Sequence, residues 1–205
     1  MDARTQPRKP VQERSRERVE RVMDAAERLL ERQGPEDTSI PEVALESGVP
    51  RASIYQYFPS KYALFLAIAD RHLEAVAGLV EKVGGASGES TWEALVERAC
   101  HGAAAYYNQH PVAGMLILGG PMSRNAYLAQ ETTIQEIGRR VRHIFLRNRP
   151  GLTIPETPDV MTLAVEIAFA CMRHGYLADA RISGATVEQA SLAARSYLSN
   201  WLAPS

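Results

Sequence analysis

Residues 38–61, TSIPEVALESGVPRASIYQYFPSK, constrain this chain more than any other stretch. Ser39-Ile40-Pro41-Glu42 has the form of a capping box, a hydroxyl followed three residues later by a carboxylate. Pro41 falls in the first turn, where a missing N–H costs little. Val43 and Ala44 give the short helix an apolar face, and Gly48 ends it by taking a left-handed conformation. Val49 is an expected buried anchor. Pro50 presets a second helix, Arg51 to about Tyr57, which Pro59 closes, and Ser60 caps a third. Two short helices separated by a turn containing glycine form a helix-turn-helix pattern.

The second helix is polar for its length. Only Ile54 and Phe58, an i, i+4 pair, read as core. Arg51, Ser53 and Gln56 are the types that hydrogen-bond to base edges, Gln56 suiting adenine and Arg51 guanine or phosphate. Thr38, Ser39, Tyr55, Tyr57 and Lys61 are expected on phosphates, and Ala52 is small enough for a backbone to approach closely. Double-stranded DNA is therefore the expected partner.

The run Thr38…Ala44…Gly48-Val49…Arg51-Ala52-Ser53-Ile54-Tyr55-Gln56-Tyr57-Phe58-Pro59-Ser60-Lys61 resembles the DNA-binding domain of the TetR family of bacterial transcriptional regulators. The resemblance spans roughly Val19 to Leu73. Pro50 departs from it by replacing a capping hydroxyl, and Tyr62 by standing where an acidic residue is common. The resemblance implies an N-terminal reading head and a C-terminal helical domain that dimerises and binds a small organic inducer. A homodimer of reading heads matches a palindromic operator.

Helical periodicity continues along the rest of the chain, and no segment alternates with period two, so the expected fold is all-α with about nine helices. Residues 1–14 read as a basic flexible tail: Arg4, Arg8, Lys9 and Arg14 outnumber Asp2 and Glu13. That composition leaves open a basic arm lying in a minor groove. Residues 15–62 are assigned to the helix-turn-helix domain and 63–205 to the ligand-binding and dimerisation domain. The first helix, about Ser15 to Gln33, repeats Val19, Val22, Met23, Ala26, Leu29 and Leu30 on one face and stops at Gly34-Pro35. The helix from Ser60 to about Val83 is roughly 35 Å long, enough to run from the head into the second domain. Further helices are expected over Ser90–Gln109, Val112–Leu118, Ser123–Asn148, Thr157–Ala180 and Thr186–Trp201, with Ser90, Thr157 and Thr186 as caps.

The middle helices are expected to line an apolar pocket with a few polar points. Its candidate residues are Trp92, Tyr106, Met115, Leu118, Met122, Tyr127, Ile134, Phe169 and Met172, with Glu131, Arg173 and His174 as polar contacts. The resemblance assigns the last two helices to the dimer interface through Val187, Ala190, Ala194, Tyr197, Leu198 and Trp201. The same stripe could instead close the monomer's own bundle.

Composition narrows the alternatives. Lys and Arg number 23 against 24 Asp and Glu, a formal charge of −1, so any attraction to nucleic acid must come from local charge placement. This near neutrality is compatible with a second reading, a helical small-molecule-binding or adaptor protein that does not read DNA. Cys100 and Cys171 imply no disulfide framework and fit a reducing cytoplasm. The longest apolar run, about Val112 to Met122, is far short of the roughly 20 residues that span a bilayer. No cofactor is expected. Cys171 and His174 are too few for a zinc site. Gly85-Ala86-Ser87-Gly88-Glu89 lacks the last glycine of a nucleophile elbow, and His101 and His110 have no carboxylate partner in sequence, so no catalytic set emerges.

Overall fold

A computed structural model describes residues 13–85, 91–119, 124–148 and 153–202. The basic tail expected at the N-terminus lies almost wholly outside the described residues. Within them the chain is helical and contains no strand: α1 Glu13–Asp37, α2 Ile40–Ser47, α3 Arg51–Tyr57, α4 Lys61–Gly85, α5 Trp92–Gln109, α6 Pro111–Ala113, α7 Arg124–Asn148, α8 Val160–Asp179 and α9 Gly184–Leu202. A π-helical turn, Gly114–Leu118, continues α6.

Helices α1 to α3 and the start of α4 build the head. The apolar stripe of α1 (Val22, Met23, Ala26, Leu30) is buried against Val43, Val49, Ile54 and Phe58. Burial of a large apolar side chain contributes about 1.5–3 kcal/mol. A helix of seven or eight residues has no such stability alone, so this core is what holds α2 and α3 in place. Helix α1 is interrupted where Gly34-Pro35 predicts: Gly34 adopts φ 77°, outside the helical region. Gly48 closes α2 at φ 66°, in the left-handed region.

Helix α4 leaves the head and packs against α5 and α7 of the body, while α8 and α9 pack on each other and close the far side. Three caps lie elsewhere than expected. Thr91 Oγ1, not Ser90, accepts from Ala94 N–H at 3.3 Å and opens α5. Asp159, not Thr157, caps α8, accepting from Thr162 N–H at 3.2 Å. Ser183 Oγ accepts from Thr186 N–H at 3.2 Å, so α9 starts at Gly184 rather than at Thr186. In each case an oxygen-bearing neighbour sits nearer the first free amides than the residue chosen from the pattern.

Two glycines permit close approaches. A Cβ on Gly138 would stand 2.2 Å from Thr162 Oγ1 and 2.8 Å from Thr162 Cα, which lets α7 and α8 cross nearly backbone to backbone. A Cβ on Gly114 would stand 2.6 Å from Tyr176 Cε2, so the π turn rests directly on α8.

Candidate nucleic-acid interface and ligand cavity

Helix α3 buries one narrow face. Ile54 and Phe58 reach the head core, and Tyr57 packs half-buried beside them. Arg51, Ala52, Tyr55 and Gln56 are exposed and Ser53 is half-buried. Among the described residues, Arg51, Ser53, Tyr55 and Gln56 make no side-chain hydrogen bond or ion pair within the chain. A two-turn helix thus turns a set of free donors and acceptors outward. Pro50 precedes it with φ −56° and ψ 139°, and its carbonyl accepts from Ser53 N–H (2.9 Å) and Ile54 N–H (3.1 Å), so the helix starts at Arg51 without a capping hydroxyl.

Three of the residues expected on phosphates have work inside the head. Thr38 is only 1% exposed, and its hydroxyl donates to Gly34 C=O at 2.7 Å, closing the break in α1. A duplex cannot reach it. Ser39 donates both its N–H (3.0 Å) and its hydroxyl (2.7 Å) to Glu42 Oε2 at the start of α2. The Ser39 hydroxyl holds the Glu42 carboxyl below its ordinary range. Lys61 Nζ donates to the carbonyls of Pro35 and Glu36, both at 2.9 Å. Two of its three N–H groups therefore tie the start of α4 to the end of α1, and the third is left for a phosphate. Exposed Tyr62, where an acidic residue was the common choice, has the Lys61 ammonium 5.7 Å above its ring.

The body holds a half-open cavity of about 120 Å³ between α4, α5, α7, α8 and α9. This is on the order of the ~150 Å³ engineered apolar cavity that stays dry and takes up benzene. Of the candidate pocket residues, Ile134, Phe169 and Met172 line it. The others do not. Trp92, Leu118 and half-buried Met115 belong to the packed core, and Tyr106 is bonded to His72. Tyr127 and His174 are exposed, while Glu131 and Arg173 are half-buried beside Glu166, off the cavity. Met122 lies outside the described residues. The walls are instead the aliphatic stripes of the helices: Leu73, Val76 and Val80 from α4, Ala99 and Ala103 from α5, Ile137 and Val141 from α7, Ala164 and Ala168 from α8. Those stripes are visible in the sequence as helical periodicity; choosing aromatic, sulfur and charged residues for their chemistry passed over them.

Two wall groups are polar, and both stay neutral. Burial pushes the Cys100 thiol up to about 12 and raises the Tyr107 phenol well above its ordinary value. Both cysteines are free thiols.

The expected dimer residues need correction. Val187, Ala190, Ala194 and Leu198 are buried within the chain's own body, and Ala194 and Leu198 even touch the cavity. They close the monomer. Tyr197 is half-buried, and Trp201 is partly exposed at the end of α9. An unpartnered apolar face lies on α8, where Leu163 (43% exposed), Ala170 and Leu177 (63% exposed) recur every seven residues with half-buried Ile167 between them; Leu192 of α9 is exposed as well.

A family model described as bacterial regulatory proteins, tetR family, matches residues 22–68. The head is similar to the DNA-binding part of that family. An uncharacterised HTH-type transcriptional regulator of Mycobacterium tuberculosis (strain H37Rv) is 40% identical over 53 residues, 26% of this chain and 26% of that protein. The match thus spans about a quarter of the length of the curated relatives. Over the whole molecule the likeness is one of fold. A TetR-family regulator from Streptomyces coelicolor has TM-score 0.70 at 22% identity, covering 91% of this chain and 98% of that one. A TetR regulator from Haloarcula marismortui has TM-score 0.66 at 18% identity, with 91% and 99% covered. SmeT, the repressor of the Stenotrophomonas maltophilia multidrug efflux pump SmeDEF, has TM-score 0.59 at 16% identity, with 90% of each chain covered. The TetR-like head is thus followed by a body that shares the fold of these solved regulators. No helix among the described residues is long and apolar enough to cross a membrane.

Proposed function

We propose that this chain is a cytoplasmic, homodimeric transcriptional regulator, a repressor that leaves a palindromic operator when an apolar inducer fills the body cavity. The observation that carries the reading is the outward face of α3, where Arg51, Ser53, Tyr55 and Gln56 present donors and acceptors that no described residue satisfies. Helix α3 enters the major groove; Arg51, Ser53 and Gln56 meet base edges, and Tyr55 and Tyr57 meet the backbone. Pairing of the exposed faces of α8 and α9 between two copies sets the two heads about one helical turn of DNA apart, roughly 34–36 Å, or a multiple of it. The cavity supports a ligand class as well. Its walls are apolar, and both its polar groups are neutral, so a charged molecule would lose hydration there with nothing to replace it. The inducer is therefore an uncharged, hydrocarbon-rich molecule.

The test is a selection of bound duplexes from a random-sequence pool, followed by titration of the winner. Recovery of a palindrome that binds far more tightly than its scrambled form supports the reading. Equal binding to both returns the chain to the class of ligand-binding proteins that do not read DNA.

A further inference from the structure

A chain of short polar contacts runs from the cavity wall to the head. His72, on α4, is 5% exposed. Its Nε2 lies 2.6 Å from Glu27 Oε1 on α1, and its Nδ1 lies 2.7 Å from Tyr106 Oη on α5. One arrangement satisfies every atom: the Tyr106 hydroxyl donates to Nδ1, and Nε2–H donates to the Glu27 carboxylate. Glu27 is fixed in turn by Arg71, which also binds Glu20 (3.0 Å) and Asp24 (2.8 Å), so the far end of the chain is anchored along α1. At the near end the Tyr106 ring meets the edge of Tyr107, centroids 6.2 Å apart, and Tyr107 lines the cavity. Leu73, next to His72 in sequence, lines it too. The His110 ring lies 4.2 Å from that of Tyr106, and beside it a cleft of about 220 Å³ separates Asp24, Arg28 and Glu31 of α1 from Gln109 and His110. There is room at this corner for α5 to move against α1.

We infer that Tyr106, His72 and Glu27 form the relay by which the contents of the cavity set the position of the head. This rests on the ligand-responsive reading and deepens it by naming the positioning residues. A group filling the cavity presses on Tyr107 and α5; Tyr106 follows, and its hydroxyl drags or releases His72. His72 carries the shift to Glu27, and α1 moves with the core that holds α3. Short, directional bonds between elements suit such a link, because a tilt of α5 weakens them steeply rather than being absorbed gradually. Greasy contacts alone slide past one another.

The experiment fills the cavity from within, since no ligand is identified. Ala99→Phe places a ring into the cavity from α5, two turns away from Tyr106, and Ala168→Phe does the same from α8 if the first variant does not fold. Each is made in the wild-type chain and in Tyr106→Phe, which keeps the ring and removes only the hydroxyl. Affinity for a duplex selected from a random pool is read by fluorescence anisotropy, with folding checked by circular dichroism. The expected result is a loss within roughly 5- to 150-fold in the wild-type background, the usual span of coupling between sites, and a loss below about twofold with Tyr106→Phe, on the same coupling argument. Equal losses in both backgrounds overturn the relay and leave the ligand-responsive reading standing. No loss in either background overturns both.

Discussion

Gln56 and Arg51 have no partner among the described residues, and both are exposed on α3. A glutamine that bonds an adenine in two places is worth about 1–3 kcal/mol of discrimination. Gln56→Ala is therefore expected to relax preference at one base pair per half-site by that amount, read by randomised-site selection, with no fall in thermal stability. Glu27 gives a different kind of test. Its hydrogen bond to His72, aided by the charge of Arg71, outweighs the effect of burial and holds its carboxyl below the ordinary value of 4.5. A lowered acid contributes stability above its ordinary range, and the contribution is lost as the pH falls through the folded value. The urea midpoint of Glu27→Gln is thus expected below that of the wild-type chain at pH 7. The gap should narrow steadily as the pH drops below about 4.5, in line with this linkage. At this scale the sequence was half legible. The outward polarity of α3 could be read directly, because a helix too short to bury more than Ile54 and Phe58 must expose the rest. Thr38 and Lys61 could not be read so. Their side chains look like phosphate ligands by type, yet Thr38 closes the carbonyl of Gly34 and Lys61 those of Pro35 and Glu36, and a break's orphan carbonyls are not visible until the chain has turned.

The elements themselves were largely foreseen: Gly34, Gly48 and Pro59 stop helices where their backbone preferences dictate. Errors concentrate at the caps, where Asp159 and Ser183 win over Thr157 and Thr186, two and three residues away. Any nearby oxygen satisfies the first amides, and the winner is settled by the direction from which the chain arrives. Nothing in the local sequence marks Gly138. Its importance comes only from what crosses it: Thr162 lies where its Cβ would be. Gly138→Ala must push α7 away from α8, and overpacking of this kind costs about 1–3 kcal/mol. Differential scanning calorimetry should show the loss, whereas Gly102→Ala, with open space at its Cβ, should show none.

For the whole molecule, the apolar stripe on α8 is the largest correction. Periodicity marks which residues of α9 are buried but not whether the neighbour is α5 of the same chain or a second copy. The buried set turned out to be Val187, Ala190, Ala194 and Leu198, facing inward, which leaves Leu163, Ile167 and Leu177 for a partner. Leu177→Glu places a charge in that face and is expected to convert a two-chain species to one in sedimentation equilibrium, with the helical signal preserved. Operator affinity should fall with it, since one head alone grips half the site.

The neutral, apolar cavity has a consequence for what a cell could report through this protein. With no fixed charge in its wall, and the Cys100 thiol and Tyr107 phenol as its only polar groups, it sorts molecules chiefly by how much oil they carry. Each methylene moved out of water gains about 0.8 kcal/mol, close to a fourfold step in affinity, until the space is full. Across a homologous series of alcohols, potency should climb by that step with chain length and then drop abruptly, so that the cutoff, rather than any head group, names the natural signal.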